Sequence, residues 1–173
     1  MIDLDARPEP TPFSERTGLL TVRYMEAINI TLFRLSKGKV GGTIFGAPVI
    51  LLTASGHKTG VRRTKPLLAL PDGRSWIVVG SRGGTSKHPD WYENLRAFER
   101  QRKAKTVPKR APFLRAPIVE YAGDRRVEVG SEVLKGKERA KWWARLVDVY
   151  PRFDAYQRRT SRQIPVVRLT PTH

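Results

Sequence analysis

The 173-residue chain carries 33 Lys and Arg against 16 Asp and Glu, a formal charge of +17, with 39% hydrophobic residues; this suits one compact domain with a core and argues against a second domain or a disordered basic protein. Cysteine is absent, which excludes thiolate catalysis, disulfides and cysteine-ligated metal clusters, and His57, His88 and His173 are too scattered for a metal triad; an all-carboxylate magnesium site stays open, but no tight acidic cluster asks for one and no metal is expected. The positive excess calls for an anionic partner, and nucleic acid, an anionic membrane surface and a polyanionic cofactor all qualify.

Residues 1–14, with Pro8, Pro10 and Pro12, read as a flexible arm lacking the basic and apolar regions of a secretory signal, ahead of a single domain over 15–173. No window approaches the roughly 18 uninterrupted apolar residues of a membrane span, so a cytoplasmic protein is expected. Leu20, Tyr24, Ile28 and Leu32 recur at intervals of four and predict a helix from Glu15 to Leu35, packed over a sheet or lining an apolar entrance. Glycine-rich Ser36–Gly46 predicts a loop. Val49–Thr53, Thr64–Leu70 and Trp76–Val79 predict strands, the last two joined by a Pro71-Asp72-Gly73 turn, and Pro66 implies a bulge or an edge position.

Pro89 predicts the first position of a helix in which Trp91, Leu95 and Phe98 share a face, with Asp90 near its positive end. From Arg96 to Arg115 basic residues face the single acid Glu99, and Pro108 and Pro112 predict an extended basic excursion rather than a continuous element. Ile118–Tyr121 and Val127–Val129 read as a strand pair around Gly123-Asp124. A stripe of Ala140, Trp143, Leu146, Val147 and Tyr150 predicts a helix over Lys137–Tyr150 that Pro151 stops, and Ile164–Leu169 predicts a final strand. Short strands joined by turns with a few covering helices define an α+β fold built on a small barrel-like sheet.

Two segments carry the chemistry: Ser55-Gly56-His57-Lys58-Thr59-Gly60-Val61-Arg62-Arg63 and Ser81-Arg82-Gly83-Gly84-Thr85-Ser86-Lys87. Each follows a predicted strand and combines glycine, which lets backbone N–H groups approach a ligand, with hydroxyls and fixed positive charge, so the two read as halves of one anion site. Neither has the spacing of a P-loop or a dinucleotide fingerprint. The second precedes a predicted helix N-terminus, a favourable place for an anion.

Taken in order, Leu51–Gly60, Arg63-Thr64-Lys65-Pro66-Leu67, Val78–Gly84, Lys87–Leu95 and Tyr150-Pro151…Tyr156-Gln157…Arg162…Ile164–Val167 closely resemble the deazaflavin-dependent nitroreductase family, whose members include quinone reductases. The resemblance implies a split β-barrel, FMN-binding-like, with covering helices and a groove for coenzyme F420, an 8-hydroxy-5-deazaflavin with a phosphodiester and a polyglutamate tail. It implies that His57, Lys58, Thr59, Arg63 and Thr64 hold the phosphodiester, with Pro66 and Leu67 beside the ring. Val79, Gly80, Ser81 and Arg82 would form the second wall, and Asp90, Trp91 and Asn94 a further contact. Tyr150, Tyr156 and Ser81 are the implied hydroxyl donors to a quinone, nitroaromatic or other activated apolar acceptor, which gains negative charge as hydride arrives.

The chain departs from that family at Leu68 and Phe153, apolar positions without a hydroxyl, and by a basic insertion near 98–116. The insertion could extend the groove for the polyglutamate tail, make a peripheral contact with a quinone-bearing membrane, or be a solvated flap. Two other readings stand beside the reductase: an FMN-binding barrel of the same class, and a basic nucleic-acid-binding protein. The second is disfavoured because zinc and stacking signatures are absent, so no nucleic acid is expected. The oligomeric state is open.

Overall fold

The computed structural model describes residues 30–44, 46–104, 112–122 and 124–172. The predicted arm over 1–14, most of the predicted first helix and the centre of the basic excursion lie outside them. The strands are β1 (Thr43–Ile44), β2 (Ala47–Ser55), β3 (Arg62–Asp72), β4 (Ser75–Val79), β5 (Ile118–Tyr121), β6 (Arg125–Val133) and β7 (Val166–Pro171). They run β1-β2-β3-β4-β7-β6-β5, and a further β2–β5 pairing closes β2 to β7 into a barrel. Every pairing is antiparallel.

Side-chain alternation builds two apolar layers from the same strands. Ile50, Leu52, Ala54, Ala69, Val78, Val119, Val129, Val167 and Leu169 fill the barrel, where Trp91, Tyr92 and Leu95 of helix α1 (Asp90–Lys103) join them. Ile77, Val79 and Val166 face outward and pack against Trp142 and Leu146 of α2 (Gly136–Val149) and Phe153 of α3 (Arg152–Arg158). β2 is apolar on both sides because Val49 and Leu51 meet Phe33 of a helical segment at residues 30–35. That segment is tied to the barrel by Arg34, whose Nε and Nη2 donate to Glu120 at 2.9 and 2.7 Å.

Several boundaries differ from expectation. Pro71 and Asp72 belong to β3, leaving Gly73-Arg74 as the hairpin turn. Pro89 is the residue before α1, with extended backbone, and α1 runs on to Lys103. Arg96, Arg100, Arg102 and Lys103 therefore sit on a regular helix and not on an extended excursion. In α2 the buried residues are Trp142 and Leu146, whereas Ala140 is exposed. Pro66 fits its edge reading: it pairs with Leu51 on one side, and β4 joins β3 only from Ala69 onward. Among the described residues no helix is long and apolar enough to cross a membrane, and no cluster of potential metal ligands occurs.

Candidate functional site

The turn between β2 and β3 is fixed by its own backbone. The N–H of Gly56 donates to Val61 O at 2.8 Å and that of Gly60 to Gly56 O at 2.7 Å, with Gly60 at a φ of +70° that glycine adopts without strain. Thr59 Oγ1 accepts from the N–H of Val61 at 3.3 Å, which leaves its O–H free to donate outward. Lys58 and Arg63 are exposed, and no ion pair engages either among the described residues. Thr64 is held across the strands by a 2.8 Å hydroxyl pair with Thr53.

The second loop, 80–88, is organised by a residue distant in sequence. Arg162 donates through Nη2 to Ser81 O at 2.7 Å, through Nε to Thr85 O at 2.8 Å and through Nη1 to Gly80 O at 3.3 Å. Its Nη1 also lies 3.2 Å from His88 Nδ1. An arginine can only donate, so His88 Nδ1 accepts and the ring carries its proton on Nε2. Burial first, and the charge of Arg162 second, hold the His88 pKa below its usual value. Within the loop Arg82, Gly83 and Gly84 have φ values of +46°, +63° and +81°. Arg82 adopts this left-handed backbone at a cost, which its Nη1 bond to His88 O at 2.9 Å helps to offset.

Both segments are fastened to one face of α1, one helical turn apart. Asn94 Oδ1 accepts from the His57 backbone N–H and from His57 Nδ1, each at 2.9 Å. Those two donors fix the amide orientation and put a His57 ring proton on Nδ1. Arg82 Nη1 stands 3.6 Å from Asp90 Oδ1. Of the three helix residues expected at the site, Asp90 and Asn94 thus hold the loops. Trp91 is buried in the barrel core against Tyr92, their rings edge to face at 6.2 Å, and supports the helix from beneath.

Tyr150 and Tyr156 meet at the junction of α2 and α3. Their hydroxyls are 3.3 Å apart, and Phe153 stands edge-on to Tyr150 with ring centroids at 4.9 Å. Both tyrosines, with Leu68 and Leu70 of β3 and Trp143, pack on the outer apolar layer. Leu68 and Phe153 therefore belong to the same apolar surface as the two hydroxyls. The bond to Tyr156, then burial, push the Tyr150 pKa up, so its hydroxyl is a proton-bearing donor at neutral pH. Val79 and Gly80 are buried beneath the second loop, whereas Ser81 is half-buried and Arg82 exposed. Pro66 and Leu67 are half-buried on the β3 strand that leaves the first turn.

Sequence reasoning missed the residues that hold this site together. Arg162 stood within the motif pattern without a role, because its partners lie more than seventy residues away. Gly84, read in the sequence as part of the anion segment, is instead buried against the backbone of α3. A concavity of about 580 Å³ lies elsewhere, at the opposite barrel end between the β3–β4 and β5–β6 hairpins, and touches none of the expected residues.

A closed antiparallel barrel with outer helices, carrying two basic loops beside one helix, defines a split-barrel protein. The family described as F420H(2)-dependent quinone reductase matches residues 25–106 and 114–171, and the chain belongs to that family, whose members are oxidoreductases using coenzyme F420. An F420H(2)-dependent quinone reductase of Mycobacterium tuberculosis (strain H37Rv) is 33% identical over 159 residues, spanning 88% of this chain and 91% of its own. A solved F420-H2 dependent reductase is 32% identical with a TM-score of 0.55, covering 70% of this chain and 93% of its own. A second solved structure, described as a domain-swapped dimer, is 29% identical with a TM-score of 0.56, covering 82% and 96%.

Proposed function

We propose that the protein binds reduced F420 between the β2–β3 turn and the 80–88 loop and reduces a quinone at the Tyr150–Tyr156 surface. The observation that carries this reading is the fastening of both basic loops to one turn of α1, through Asn94 and Asp90. The donor set fits a phosphorylated coenzyme. Lys58 and Arg63 offer unpaired charge and Thr59 a hydroxyl, and a guanidinium can orient a phosphate as well as neutralise it. His57 and Thr64 complete this half, and Ser81 with Arg82 forms the other. Pro66, Leu67, Val79 and Gly80 give the apolar flank for the ring.

When bound, the reduced deazaflavin supplies the hydride. The chain's own part is to orient acceptor and coenzyme and to exclude water. The apolar layer of Leu68, Leu70, Phe153 and Trp143 provides a dry surface for a quinone ring. A hydroxyl of Tyr150 or Tyr156, or that of Ser81, donates to the acceptor oxygen. This bond strengthens as negative charge develops there, so it lowers the barrier more than it tightens ground-state binding. A nitroaromatic acceptor would meet the same surface, but Leu68 and Phe153 add no hydroxyl, which favours the quinone.

Titration of the purified protein with F420, followed by tryptophan fluorescence, tests the first step, and oxidation of reduced F420 by a soluble quinone tests the second. Saturable binding and protein-dependent turnover are expected. Tight retention of a flavin with no F420 binding would overturn the assignment in favour of the flavin-binding alternative.

A further inference from the structure

The rings of Trp76 and Tyr121 meet at the barrel end opposite the basic loops, with centroids 4.7 Å apart and planes tilted by 57°. Trp76 lies on β4 and Tyr121 on β5, and these strands are not neighbours in the sheet, so the contact spans the barrel mouth. Both rings rest on the inner core and stay partly exposed. They form the floor of the concavity of about 580 Å³, a volume within the roughly 300–1,000 Å³ of small-molecule sites. A smaller hollow of about 160 Å³, lined by Phe33, Val49 and Ile50, reaches the same ring pair from another side.

The walls of the larger cavity are two hairpins, with Arg74 on one and Arg125 and Arg126 on the other, and no Asp or Glu lines it among the described residues. The acids next to it in sequence are engaged elsewhere. Asp72 accepts from Arg168 Nε at 2.8 Å, Glu120 takes both Nε and Nη2 of Arg34, and Asp124 lies 3.9 Å from Lys37 Nζ. Arg126 Nη2 approaches Glu120 only to 3.6 Å and shares it with Arg34, and Arg125 has no ion pair among the described residues.

We propose that this barrel mouth is a second ligand site, for a flat aromatic carboxylic acid whose ring lies on Trp76 and Tyr121 and whose carboxylate meets Arg125 and Arg126. Tyr121 and Arg125 are directly opposed on β5 and β6, so both side chains leave the sheet on one face. A guanidinium grips a carboxylate through two parallel N–H donors, and the aromatic pair takes the apolar ring. A neutral ring gains only the second contact. The site is separate from the loops assigned to the coenzyme and stands whether or not that assignment does.

The test is an NMR titration of the isotope-labelled full chain with 2-naphthoate, and with 2-naphthalenemethanol as its neutral counterpart. It follows the Trp76 indole N–H signal, identified by its absence from Trp76→Phe. 2-Naphthoate is expected to move that signal saturably and to bind roughly tenfold or more tightly than the alcohol. Arg125→Gln and Arg126→Gln, both at exposed positions, should narrow that ratio, and saturating F420 should leave the naphthoate affinity unchanged. An unmoved Trp76 signal, equal affinities for acid and alcohol, or a ratio untouched by both substitutions would overturn the proposal. Displacement by F420 would overturn it as well, by placing naphthoate at the coenzyme end. A Trp76 signal that shifts on dilution of the ligand-free protein would overturn it in favour of a contact between two copies of the chain.

Discussion

Gly84 and Tyr156 meet backbone to backbone: a Cβ on Gly84 would stand 2.5 Å from the Tyr156 carbonyl oxygen and 3.0 Å from its Cα. The loop carrying Ser81 and Arg82 therefore seats directly on the helix that carries one of the two candidate hydroxyls. Gly84→Ala should lower stability by about 2–4 kcal/mol, since it combines a φ of +81° with a clash that neither backbone can relieve cheaply. Urea denaturation measures this. A variant as stable as wild type would show that the two elements are not packed in this way.

Arg162 binds three carbonyls of the 80–88 loop, so Arg162→Ala strands acceptors that water must then reach. A loss of about 2–4 kcal/mol is expected, with F420 affinity falling by roughly tenfold or more. Arg162→Lys keeps the charge but cannot serve three directions in one plane, so only partial recovery is expected. Full recovery by lysine would mean that charge alone matters.

Asn94→Ala removes the acceptor shared by the backbone and ring of His57. The expected cost is about 1–3 kcal/mol, accompanied by weaker coenzyme binding because the β2–β3 turn loses its tie to α1. Thermal melting with and without F420 separates the two effects: the stabilisation conferred by F420 should shrink in the variant.

His88 is half-buried beside Tyr92, with desolvation, Arg162 and Arg96 disfavouring its charged form and Glu93 favouring it. Its folded-state pKa lies below the ordinary value near 6.5, so on acidification the unfolded chain takes up the proton first. The stability that His88 contributes is complete above about pH 6.5 and is lost as pH falls through the lowered folded value. His88→Asn retains an acceptor for Arg162 without a titrating ring. Melting temperature plotted against pH should therefore decline less steeply below pH 6.5 in that variant, and identical slopes would rule out His88 as the source.

The Tyr150–Tyr156 hydroxyl pair predicts coupled kinetics. Tyr150→Phe and Tyr156→Phe should each reduce quinone turnover by roughly tenfold, while F420 affinity changes little. The double variant should lose less than the product of the two single losses, because one hydroxyl orients the other. Strict multiplicativity of kcat/KM across the cycle would separate the two roles.

The barrel was legible where a strand declares itself locally. β2 reads as an unbroken apolar run because both of its faces are covered, and Pro66 announced an edge because it has no N–H to share. The two anion segments were legible through glycine and charge. Their convergence was not, since it depends on Asn94 and Asp90 reaching back to turns that only the closed sheet brings near. α3 was missed because Pro151 was read as a stop; proline equally begins a helix, and here Arg152–Arg158 follows it at once. In α2 two adjacent tryptophans made the buried face ambiguous by one position, and tertiary packing selected Trp142.

β3 changes partner partway along its length: residues 62–68 pair with β2 alone, and residues 69–72 pair with β4. Over its first part the strand thus has a second edge that no neighbouring strand pairs with among the described residues. A flat heterocycle with donors and acceptors along its rim can be read by such an edge as another strand would be. Recognition written in peptide groups tolerates drift in the side chains around it, so a strand edge of this kind can keep its pattern while the side chains along it change.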